Sequence, residues 1–435
     1  MSRCRINVTP YLNQLRQSIV QWLPDKGLPL IDGRRWSDRM LVIAAILLAW
    51  APETTLADRF ASARDALVKM YPSRLRPGRS YAGFLAALRR RSQKLLALLI
   101  EHLRRRMEQT AGECWKIGRW TVFAADSSKL DCPMTLGNEK ELGCASKAGS
   151  WPQMVLATLV HLGTGLPWAW RLGPACSSER QLVQQMLEDL PLHALLVADA
   201  GFTGFAFLQT ILACGHQFII RVGSNVRLIE KLGYAVSEHD GIVYLWPKEM
   251  QKCQMAPLVL RRVTVVDGRN RRMVLLCSVL EESLLSDGQV AEIYRRRWGI
   301  ELFYRTLKQT MGRGKLLSDA PWHAQMEGDW TMLGLWMVGL ILPEAKVAQT
   351  PKPSVARALK AVREAMGGRI RPGHRTLNTV LRLAVLDNYQ RRKGKAARHW
   401  PHKKRPAPPG EPLARMAQAS EVLEAERIKE RRRVA

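Results

Sequence analysis

The chain has 435 residues, of which 47% are hydrophobic and 24% are charged. That composition is typical of folded globular proteins and excludes a wholly disordered chain, while the length suits about two to four domains. Lys and Arg number 67 against 38 Asp and Glu, which gives a formal net charge of +29 with His neutral. So large a basic excess indicates a polyanionic partner, which is nucleic acid, an anionic membrane face or an acidic protein.

The apolar segments and the cysteines argue against secreted, membrane-spanning and zinc-binding proteins. The first residues lack the apolar run of a secretory signal. The longest apolar runs, Met40–Pro52 and Leu333–Pro343, are shorter than the roughly 20 residues that cross a bilayer, and we interpret them as buried helices. The eight cysteines form no Cys-x2-Cys pair and no zinc-ligand spacing, which favours reduced cysteines in a cytosolic protein.

Residues 1 to about 112 have the pattern of a helical region. The segment Ala86–Arg106 repeats apolar residues at helical spacing and carries two basic clusters, Arg89–Arg91 and Arg104–Arg106. Such clusters are commonly a solvated helix face, but in a chain of this charge we favour contact with a DNA backbone. The sequence therefore predicts a helical DNA-binding domain over residues 1–112.

From about Trp115 the pattern changes to short apolar strands and intervening helices. The segment Gly163–Gly165 separates two of the strands and indicates a hairpin turn. Three strands followed by alternating helices and strands predict a mixed sheet in an α/β architecture. The expected strands are Trp120–Ala125, Val155–Leu162, Pro167–Leu172, Ala194–Ala198 and Gln217–Val222, and the expected helices are about Ser178–Leu190 and Gly204–Ala213.

Residues 224–283 read as a β-rich insertion. Its expected strands are Ile242–Trp246, Leu258–Val266 and Arg272–Val279, with a turn at Asp267–Asn270. A long helix is then expected from about Gly288 to Gln309, with Ser286 or Asp287 as its N-cap. The mostly apolar segment Pro321–Leu342 predicts another helix, which would pack back on the core.

The last fifth of the chain is strongly basic. Residues 351–435 contain 22 Lys and Arg against 7 Asp and Glu, so 15 of the 29 excess charges lie there. The segment Gln390–Pro409 combines basic runs with prolines and few residues that could be buried, which predicts a flexible segment. We expect residues 346–435 to form a helical and basic, partly disordered region.

Two aspartates directly follow apolar strands of the predicted sheet. Asp126 comes after Trp120–Ala125, and Asp199 comes after Ala194–Ala198. A single aspartate in this position is commonly an N-cap or a turn residue. Two at the rim of one sheet are more suggestive, because carboxylate oxygens held there could bind a hard cation such as Mg²⁺.

A third acid lies on the long helix. Tyr294, Arg297, Glu301 and Lys308 are spaced by 3, 4 and 7 residues, which places them within a stripe of about 60° on a regular helix. The ordinary alternative is a surface helix in which Arg297 and Arg305 form ion pairs with Glu301. Interleaved apolar residues indicate that part of the helix is buried, and a buried carboxylate needs a cation or a metal as its partner.

Together these motifs resemble the DDE transposases of bacterial insertion sequences, specifically the insertion-sequence-four group. That group carries a Tyr-x2-Arg-x3-Glu-x6-Lys motif, which Tyr294–Lys308 matches in full. The Asp-x-Gly-Phe context of its second acid is matched by Asp199–Phe202, and Asp126 followed by two serines is similar to its first acid. Asp131 is a nearby but less suitable first acid. The resemblance covers about residues 115–336.

The resemblance implies a ribonuclease-H-like core over residues 113–345, with the β-rich insertion between the second and third acids. It also implies two Mg²⁺ ions, replaceable by Mn²⁺, held by Asp126, Asp199 and Glu301 as the catalytic residues. Two such cations can activate a water or a 3′-hydroxyl and stabilise the leaving oxygen of a phosphodiester.

The remaining motif residues would contact DNA. Arg297 and Lys308 would hold phosphates beside the cleaved bond, and Tyr294 would donate a hydrogen bond to one. Arg221 is similar to a residue of the strand that follows the group's second acid. Trp298 would either stack on a base or fill the core, and we favour the core; Trp246 is a weaker stacking candidate.

The expected function is cut-and-paste DNA transposition in the bacterial cytoplasm, in association with the nucleoid. The protein would bind terminal inverted repeats of double-stranded DNA, cleave at the transposon ends and join the 3′-ends to target DNA. Because two ends are processed together, the resemblance implies a homodimer in the synaptic complex, with no membrane partner. The basic tail would serve either dimerisation or target contact, and the sequence does not establish a hairpin intermediate.

Three other functions compete with this one. The first is a catalytically idle DNA-binding relative, such as an inhibitor of transposition, although the intact acids and helix motif count against it. The second is a metal-dependent nuclease of another lineage that cleaves without joining. The third is a basic RNA-binding protein, which no aromatic-rich sheet motif supports.

Overall fold

The computed structural model describes residues 9–32, 34–71, 77–144, 151–236, 238, 240–266, 272–342, 354–367, 376–384 and 410–434. The amino-terminal part is helical, as the apolar periodicity predicts. Ser37, Thr55 and Ser80 cap the second to fourth helices, because each side-chain oxygen accepts a hydrogen bond from the backbone N–H three residues on. The four helices are α1 (Thr9–Val20), α2 (Asp38–Trp50), α3 (Leu56–Met70) and α4 (Tyr81–Thr110).

The remaining described residues form a ten-stranded mixed sheet and further helices. The strands are β1 (Val122–Asp131), β2 (Gln153–His161), β3 (Leu166–Pro174), β4 (Leu195–Ala198), β5 (Gln217–Val222), β6 (Arg227–Glu230), β7 (Ile242–Leu245), β8 (Leu258–Val266), β9 (Arg272–Cys277) and β10 (Leu413–Met416). The helices are α5 (Leu136–Glu141), α6 (Glu179–Gln184), α7 (Phe205–Ala213), α8 (Lys248–Lys252), α9 (Asp287–Arg296), α10 (Trp298–Arg305), α11 (Pro321–Leu340), α12 (Val355–Met366), α13 (Leu377–Arg382) and α14 (Ala419–Val434). A mixed α/β architecture is therefore confirmed.

The sheet has the strand order β3-β2-β1-β4-β5-β9-β8-β7-β6-β10. The strands β3, β2 and β1 are antiparallel neighbours, and β1, β4 and β5 run parallel to one another. From β5 onward the pairing is antiparallel through β9, β8, β7 and β6, and β10 closes the edge parallel to β6. The strands of the β-rich insertion thus extend the central sheet rather than forming a separate one.

The expectation that Asp126 lies just past the end of its strand is wrong. The strand β1 continues to Asp131, and Asp126 lies opposite Thr158 of β2 in the middle of it. The apolar run ends at Ala125 because the pairing with β4 stops at Ala124, after which only β2 continues beside β1. The strand therefore extends beyond the apolar run that ends at Ala125, from which the end of the strand was inferred.

The helix α11 joins the amino-terminal helices to the sheet. Its Gly334 approaches α2 so closely that an added Cβ would lie 2.6 Å from Cβ of Ala49, and the Trp50 indole donates a hydrogen bond to the Gly334 carbonyl at 2.8 Å. Buried Arg313 donates to the carbonyls of Ala49 and Ala51 at 2.8 and 2.7 Å. The apolar run of α2 is consequently buried between helices, as predicted, and within the described ranges no helix is long and apolar enough to cross a membrane.

Most arginines of the basic clusters of α4 have interaction partners within the protein. Five of their six arginines contact a carboxylate or an aromatic ring of the chain itself, which is a structural use rather than a free cationic face. The partners are Trp322 for Arg89, Asp38 for Arg91, Asp189 for Arg104, Glu101 for Arg105 and Trp22 for Arg106. Arg90 alone among the six makes no such contact with the described residues.

The last described segment docks on the far edge of the sheet, in a region where the sequence pattern predicts no strand. The strand β10 pairs with β6, and α14 buries Ala425 and Ile428 against the insertion. Arg415 and Glu421 form a two-pronged ion pair at 2.6 and 2.8 Å across the turn between the two elements. The expected turn at Asp267–Asn270 and the expected flexible segment Gln390–Pro409 lie outside the described residues.

Candidate active site

Asp126 and Asp199 lie level with each other on neighbouring parallel strands. The pairing of β1 with β4 ends with Ala124 opposite Val197, and each aspartate follows that pair by two residues. Both side chains therefore lie level with the carboxyl end of β4, although β1 continues past this point, and open α/β sheets collect functional groups at such strand ends. Both residues are partly exposed.

Asp199 caps a short 3₁₀ turn formed by Ala200–Phe202. One carboxylate oxygen, Oδ1, accepts a hydrogen bond from the Gly201 N–H at 2.8 Å. Glycine suits this position because an added Cβ would lie only 3.1 Å from the same oxygen. Asp199 can therefore cap the turn and also bind a cation, because the cap uses only one of its two carboxylate oxygens.

The carboxylate of Asp126 is only partly compensated. Burial, together with the nearby charges of Asp199 and Glu179, raises the pKa of Asp126 to about 6, while a hydrogen bond from the Ser127 backbone and the charge of Arg297 oppose this rise. Glu179, in the first turn of α6, is a member of this acidic group that the sequence analysis missed, because its segment reads simply as a polar helix. A positive ligand would relieve the repulsion within the group.

The expected long helix is interrupted at Arg297. The helix α9 ends at Arg296, and the backbone then tightens, since Arg297 N–H bonds to the Tyr294 carbonyl and Ile300 N–H to the Arg297 carbonyl. Ser286 caps α9 through a capping box with Gln289, as one of the two predicted N-caps. After α10 the chain forms a π-helical turn over Thr306–Thr310.

Lys308 lies within the π turn, beyond the α-helical segments that carry Tyr294 and Glu301. A π-helical turn contains more residues than an α-helical one, so the positions after Arg305 are rotated away from the stripe that a regular helix predicts. Burial lowers the pKa of Lys308, and the carboxylate that opposes this effect is Asp131 at the end of β1, not one of the three acids. The structure therefore brings Lys308 toward Asp131.

Arg297 is the charge around which the three acids are arranged. Its guanidinium donates to Glu301 Oε1 at 3.2 Å. Burial alone would lower the pKa of Arg297, but Tyr294, Asp199, Glu301 and Asp126 together raise it. The ion pair of Arg297 with Glu301 that was considered as an ordinary surface feature is present, but the Arg297 side chain is only 14% exposed.

Three buried polar atoms beside the acids have no hydrogen-bond partner among the described residues. They are the Tyr294 hydroxyl and the Nε atoms of Arg297 and Arg221. Arg297 lies over the Tyr294 ring at 5.5 Å, and the charges of both arginines act on the pKa of Tyr294, which burial raises. Unsatisfied buried donors are costly, so this cluster is suited to an anionic ligand that would accept from them.

The two tryptophan candidates differ from their expected environments. Trp298 is 57% exposed at the start of α10, so the interpretation as a core residue is wrong and a stacking role remains open to it. Trp246 is buried, and its indole donates to the Met255 carbonyl at 2.8 Å, which leaves no face for a base.

Tyr304 is a positioning residue that the sequence analysis missed. Its hydroxyl donates to the Asp126 carbonyl at 2.8 Å and lies 3.2 Å from the Leu156 carbonyl, so α10 is tied to β1 and β2 beside the first acid. The only available signal was a tyrosine three residues after Glu301, within the motif but not one of its four members.

The donor chemistry of the site suits a hard divalent cation, because carboxylate oxygens are the ligands that Mg²⁺ prefers. Asp126 and Asp199 fit such a group, since their carboxylates are close enough for their charges to interact. Across the residues that the structure describes, however, no three His, Cys, Asp or Glu side chains are close enough to hold one ion. Glu301 is paired with Arg297, so a three-carboxylate ligand set requires that pair to open.

The fold and the site define a mixed α/β protein with an acidic, cation-suited centre beside unsatisfied cationic donors. Residues 119–333 match the family described as the transposase DDE domain. The transposase InsG for insertion sequence element IS4 of Escherichia coli is 28% identical over 206 residues, which are 45% of this chain and 46% of that protein. The transposase for insertion sequence element IS4SA of Synechocystis is 24% identical over 164 residues, which are 37% and 44% of the two chains.

Residues 119–333 therefore belong to the DDE transposases of the insertion-sequence-four group, which confirms the resemblance inferred from the motifs. The chain matches less than half of the length of each of these curated relatives. A piggyBac transposase in a synaptic complex with hairpin DNA aligns with 89% of this chain and 88% of its own, at 14% identity and a TM-score of 0.40, a similarity too low to carry an argument.

Proposed function

We propose that this protein is a cut-and-paste DNA transposase that cleaves at transposon ends and joins the freed 3′-ends to target DNA. The observation that carries the proposal is the arrangement of Asp126 and Asp199 side by side, each two residues past the last pair of β1 with β4, with the charges of both and of Glu301 acting on Arg297. Family membership of residues 119–333 supports it.

We also propose a ribonuclease-H-like fold for the catalytic core. Antiparallel β3, β2 and β1 followed by parallel β4 and β5 support a ribonuclease-H-like core within residues 113–345, with residues 224–283 as its insertion. Residues 1–112 would be the DNA-binding domain and residues 346–435 a helical and basic, partly disordered carboxy-terminal region, part of which packs on the rest of the protein. The far edge of the core sheet, at β5, is where the insertion joins it through β9.

Asp126, Asp199 and Glu301 would hold divalent cations, two Mg²⁺ by family likeness, with Mn²⁺ as a substitute. When bound, such ions lower the pKa of a bound water or hydroxyl and stabilise the leaving oxygen. The protein's own contribution is to fix the first two acids on rigid strands. Burial is the main cause of the raised pKa of Asp126, and the charge of Asp199 adds to it; the second effect supports this assignment, because close carboxylates repel when no cation lies between them.

The unsatisfied donors of Tyr294, Arg297 and Arg221 would take a DNA phosphate as their acceptor. Arg297 would then exchange Glu301 for the phosphate, which frees the third carboxylate. Exposed Trp298 would stack on a base, and Lys308, toward Asp131, would contact a phosphate further along the strand.

The partners would be double-stranded terminal repeats and target DNA, bound by a homodimer that brings two ends together. The protein would act on the nucleoid in the bacterial cytoplasm. The net charge of +29 supports a DNA partner, since counterion release favours binding of basic surfaces to the duplex.

The test is cleavage of a labelled duplex that carries the inverted repeats flanking the gene, with Mg²⁺, Mn²⁺ or EDTA. We expect Asp126→Asn, Asp199→Asn and Glu301→Gln to bind this duplex as wild type does but to cleave about 1000-fold more slowly or worse. Asp131→Asn is the matched control, because Asp131 lies on the same strand and accepts from Gln153 at 2.8 Å.

The outcomes separate the competing functions. Unchanged cleavage by all three variants would overturn the site assignment, and loss of cleavage in Asp131→Asn alone would move the first acid to that residue. Binding without metal-dependent cleavage by the wild type would favour the idle relative. Cleavage without joining to a target plasmid would favour a nuclease of another lineage.

A further inference from the structure

A cavity of about 900 Å³ opens at the amino end of α4, within the helical region. The loop before α2, the loop before α4 and the first turns of α4 form its walls. Among the described residues, no carboxylate lines this cavity, whereas five arginines do, namely Arg34, Arg35, Arg79, Arg90 and Arg91. So many like charges around one space repel one another unless an anion lies between them.

The charge of these arginines is only partly balanced by the protein. Asp38 lies 2.5 Å from Arg91 and 3.8 Å from Arg34. Arg35, Arg79 and Arg90 are exposed and form no ion pair with the described residues. Other arginines of α4 differ in this respect, since Arg104 pairs with Asp189 at 2.9 Å.

The wall of the cavity holds its shape through Trp36. This residue is 5% exposed and packs edge-on against Phe84 at a centroid distance of 5.2 Å. Gly78 allows the close approach, because an added Cβ would lie 2.5 Å from the Trp36 indole nitrogen. That nitrogen is buried and makes no hydrogen bond with the described residues, so the wall contains an unused donor.

The amino terminus of α4 adds to the attraction for an anion. The helix has 30 residues, and Ser80 and Gly83, in its cap and first turn, line the cavity. The backbone N–H groups and the dipole of a long helix favour a negative charge at this end. An anionic ligand is therefore favoured by the arginines, by the unused indole donor and by the helix terminus.

We infer that this cavity binds the phosphodiester backbone of duplex DNA, at a site separate from the acids. Three unpaired arginines spread over two loops and a helix exceed what a single inorganic phosphate requires, whereas successive phosphates of a duplex would engage all of them. The inference rests on the proposed function only in taking DNA as the partner, and it names a backbone contact that reads no bases.

The test measures affinity for a fluorescent duplex over a salt series in EDTA, where no cleavage occurs. We expect the triple variant Arg35→Ala, Arg79→Ala, Arg90→Ala to bind on the order of 100-fold more weakly at about 0.1 M salt. Its salt slope should fall by about 0.9 for each DNA phosphate that the variant no longer neutralises. The corresponding Lys triple variant should regain most of the binding.

A second triple variant removes the same number of charges elsewhere. Lys69, Lys231 and Arg272 are exposed and each pairs with a carboxylate outside the cavity, so their replacement by alanine should leave affinity within about threefold of wild type. Equal weakening by both triple variants would reduce the cavity to a general charge effect and overturn the inference. Circular dichroism melting of all variants separates weaker binding from a failure to fold.

Two further arms separate the possible sources of the phosphate and the two proposals. Calorimetric binding of inorganic phosphate that is absent from the Arg35, Arg79 and Arg90 variant, with DNA affinity unchanged, would mean a free-anion site and overturn the DNA assignment. Wild-type DNA binding by that variant, together with loss of cleavage in Asp126→Asn, would sink the inference and leave the proposed function standing. Weak DNA binding by the variant, together with no cleavage by the wild type, would support the inference and overturn the proposed function.

Discussion

The Tyr304 hydroxyl donates a hydrogen bond to the backbone carbonyl of Asp126 at 2.8 Å, which joins residues 178 positions apart in the chain. The helix that carries Glu301 is thereby tied to the strand that carries Asp126. Tyr304 is buried, and the Leu156 carbonyl lies at 3.2 Å from the same hydroxyl. Without the Tyr304 hydroxyl, the Asp126 carbonyl on β1 and the Leu156 carbonyl on β2 would each lose a hydrogen bond from α10.

Replacement of Tyr304 by phenylalanine tests this tie. We expect Tyr304→Phe to lower the free energy of unfolding by about 1–3 kcal/mol, because the buried hydrogen bonds of the hydroxyl to the Asp126 and Leu156 carbonyls are lost. Cleavage should fall while DNA affinity stays near wild type. Urea denaturation and binding assays measure both, with Tyr234→Phe on the insertion as control; wild-type stability of Tyr304→Phe would contradict the role given to the hydroxyl.

The pKa of Asp126 predicts that this acid destabilises the metal-free protein. Because its pKa is raised to about 6 from an ordinary value of 3.8, the folded state holds a proton that the unfolded state releases between these values. Stability therefore falls as pH rises from about 4 to 6 and stays low above that range.

Asp126→Asn should remove this loss of stability. In EDTA we expect the variant to be more stable than wild type by about 1–3 kcal/mol at pH 7 and similar to it at pH 4, as judged by urea denaturation. Mg²⁺ should then stabilise the wild type and not the variant. A difference that does not change with pH would refute the electrostatic account.

Arg297 lowers the pKa of Asp126, so its removal should raise that pKa further. In Arg297→Gln we expect the Asp126 carboxyl to titrate above about 6, measured by NMR of the side-chain carbon in metal-free protein. Arg305→Gln is the control, because Arg305 is an exposed arginine on the same helix. A shift of equal size in both variants would mean that Arg297 has no special place among the acids.

The ion pair of Arg415 with Glu421 is expected to hold the last described segment in place. Hydrogen bonding to Arg415 lowers the pKa of Glu421, so the stability it contributes is present above the ordinary pKa of about 4.5 and is lost as pH falls below it. In Glu421→Gln, the amides of Leu413 and Ala417, which bond to the Val226 and Glu230 carbonyls, should exchange hydrogen faster. Unchanged exchange there would show that β10 is held by its strand pairing alone.

Local pattern was enough to predict several strands of the sheet. Apolar strands bounded by turn residues located β5 and β8, because burial on a sheet imposes a run that stops at the turn. The same logic misplaced the end of β1, since the run reflected the neighbour β4 while β2 prolonged the strand. A strand's length depends on partners that its own residues do not reveal.

The residue spacing of one regular helix predicts only part of the site. Spacing placed Arg297 beside Glu301, four residues on, where the two do pair. Lys308, seven residues further on, lies in the π turn after Arg305, where the angle per residue differs from that of a regular helix. The spacing also missed Glu179 and Tyr304, because the charge of the first and the hydrogen bond of the second reach Asp126 across long stretches of chain.

The pairing of β10 with β6 has a consequence for the order in which the protein is made. A ribosome adds Asp126, Asp199 and Glu301 well before Leu413, so a nascent chain can assemble the acidic centre while the edge of β6 is still open. Open strand edges invite pairing with other chains. During synthesis the protein therefore passes through an interval of exposure to aggregation, which ends when residues 413–416 emerge and dock.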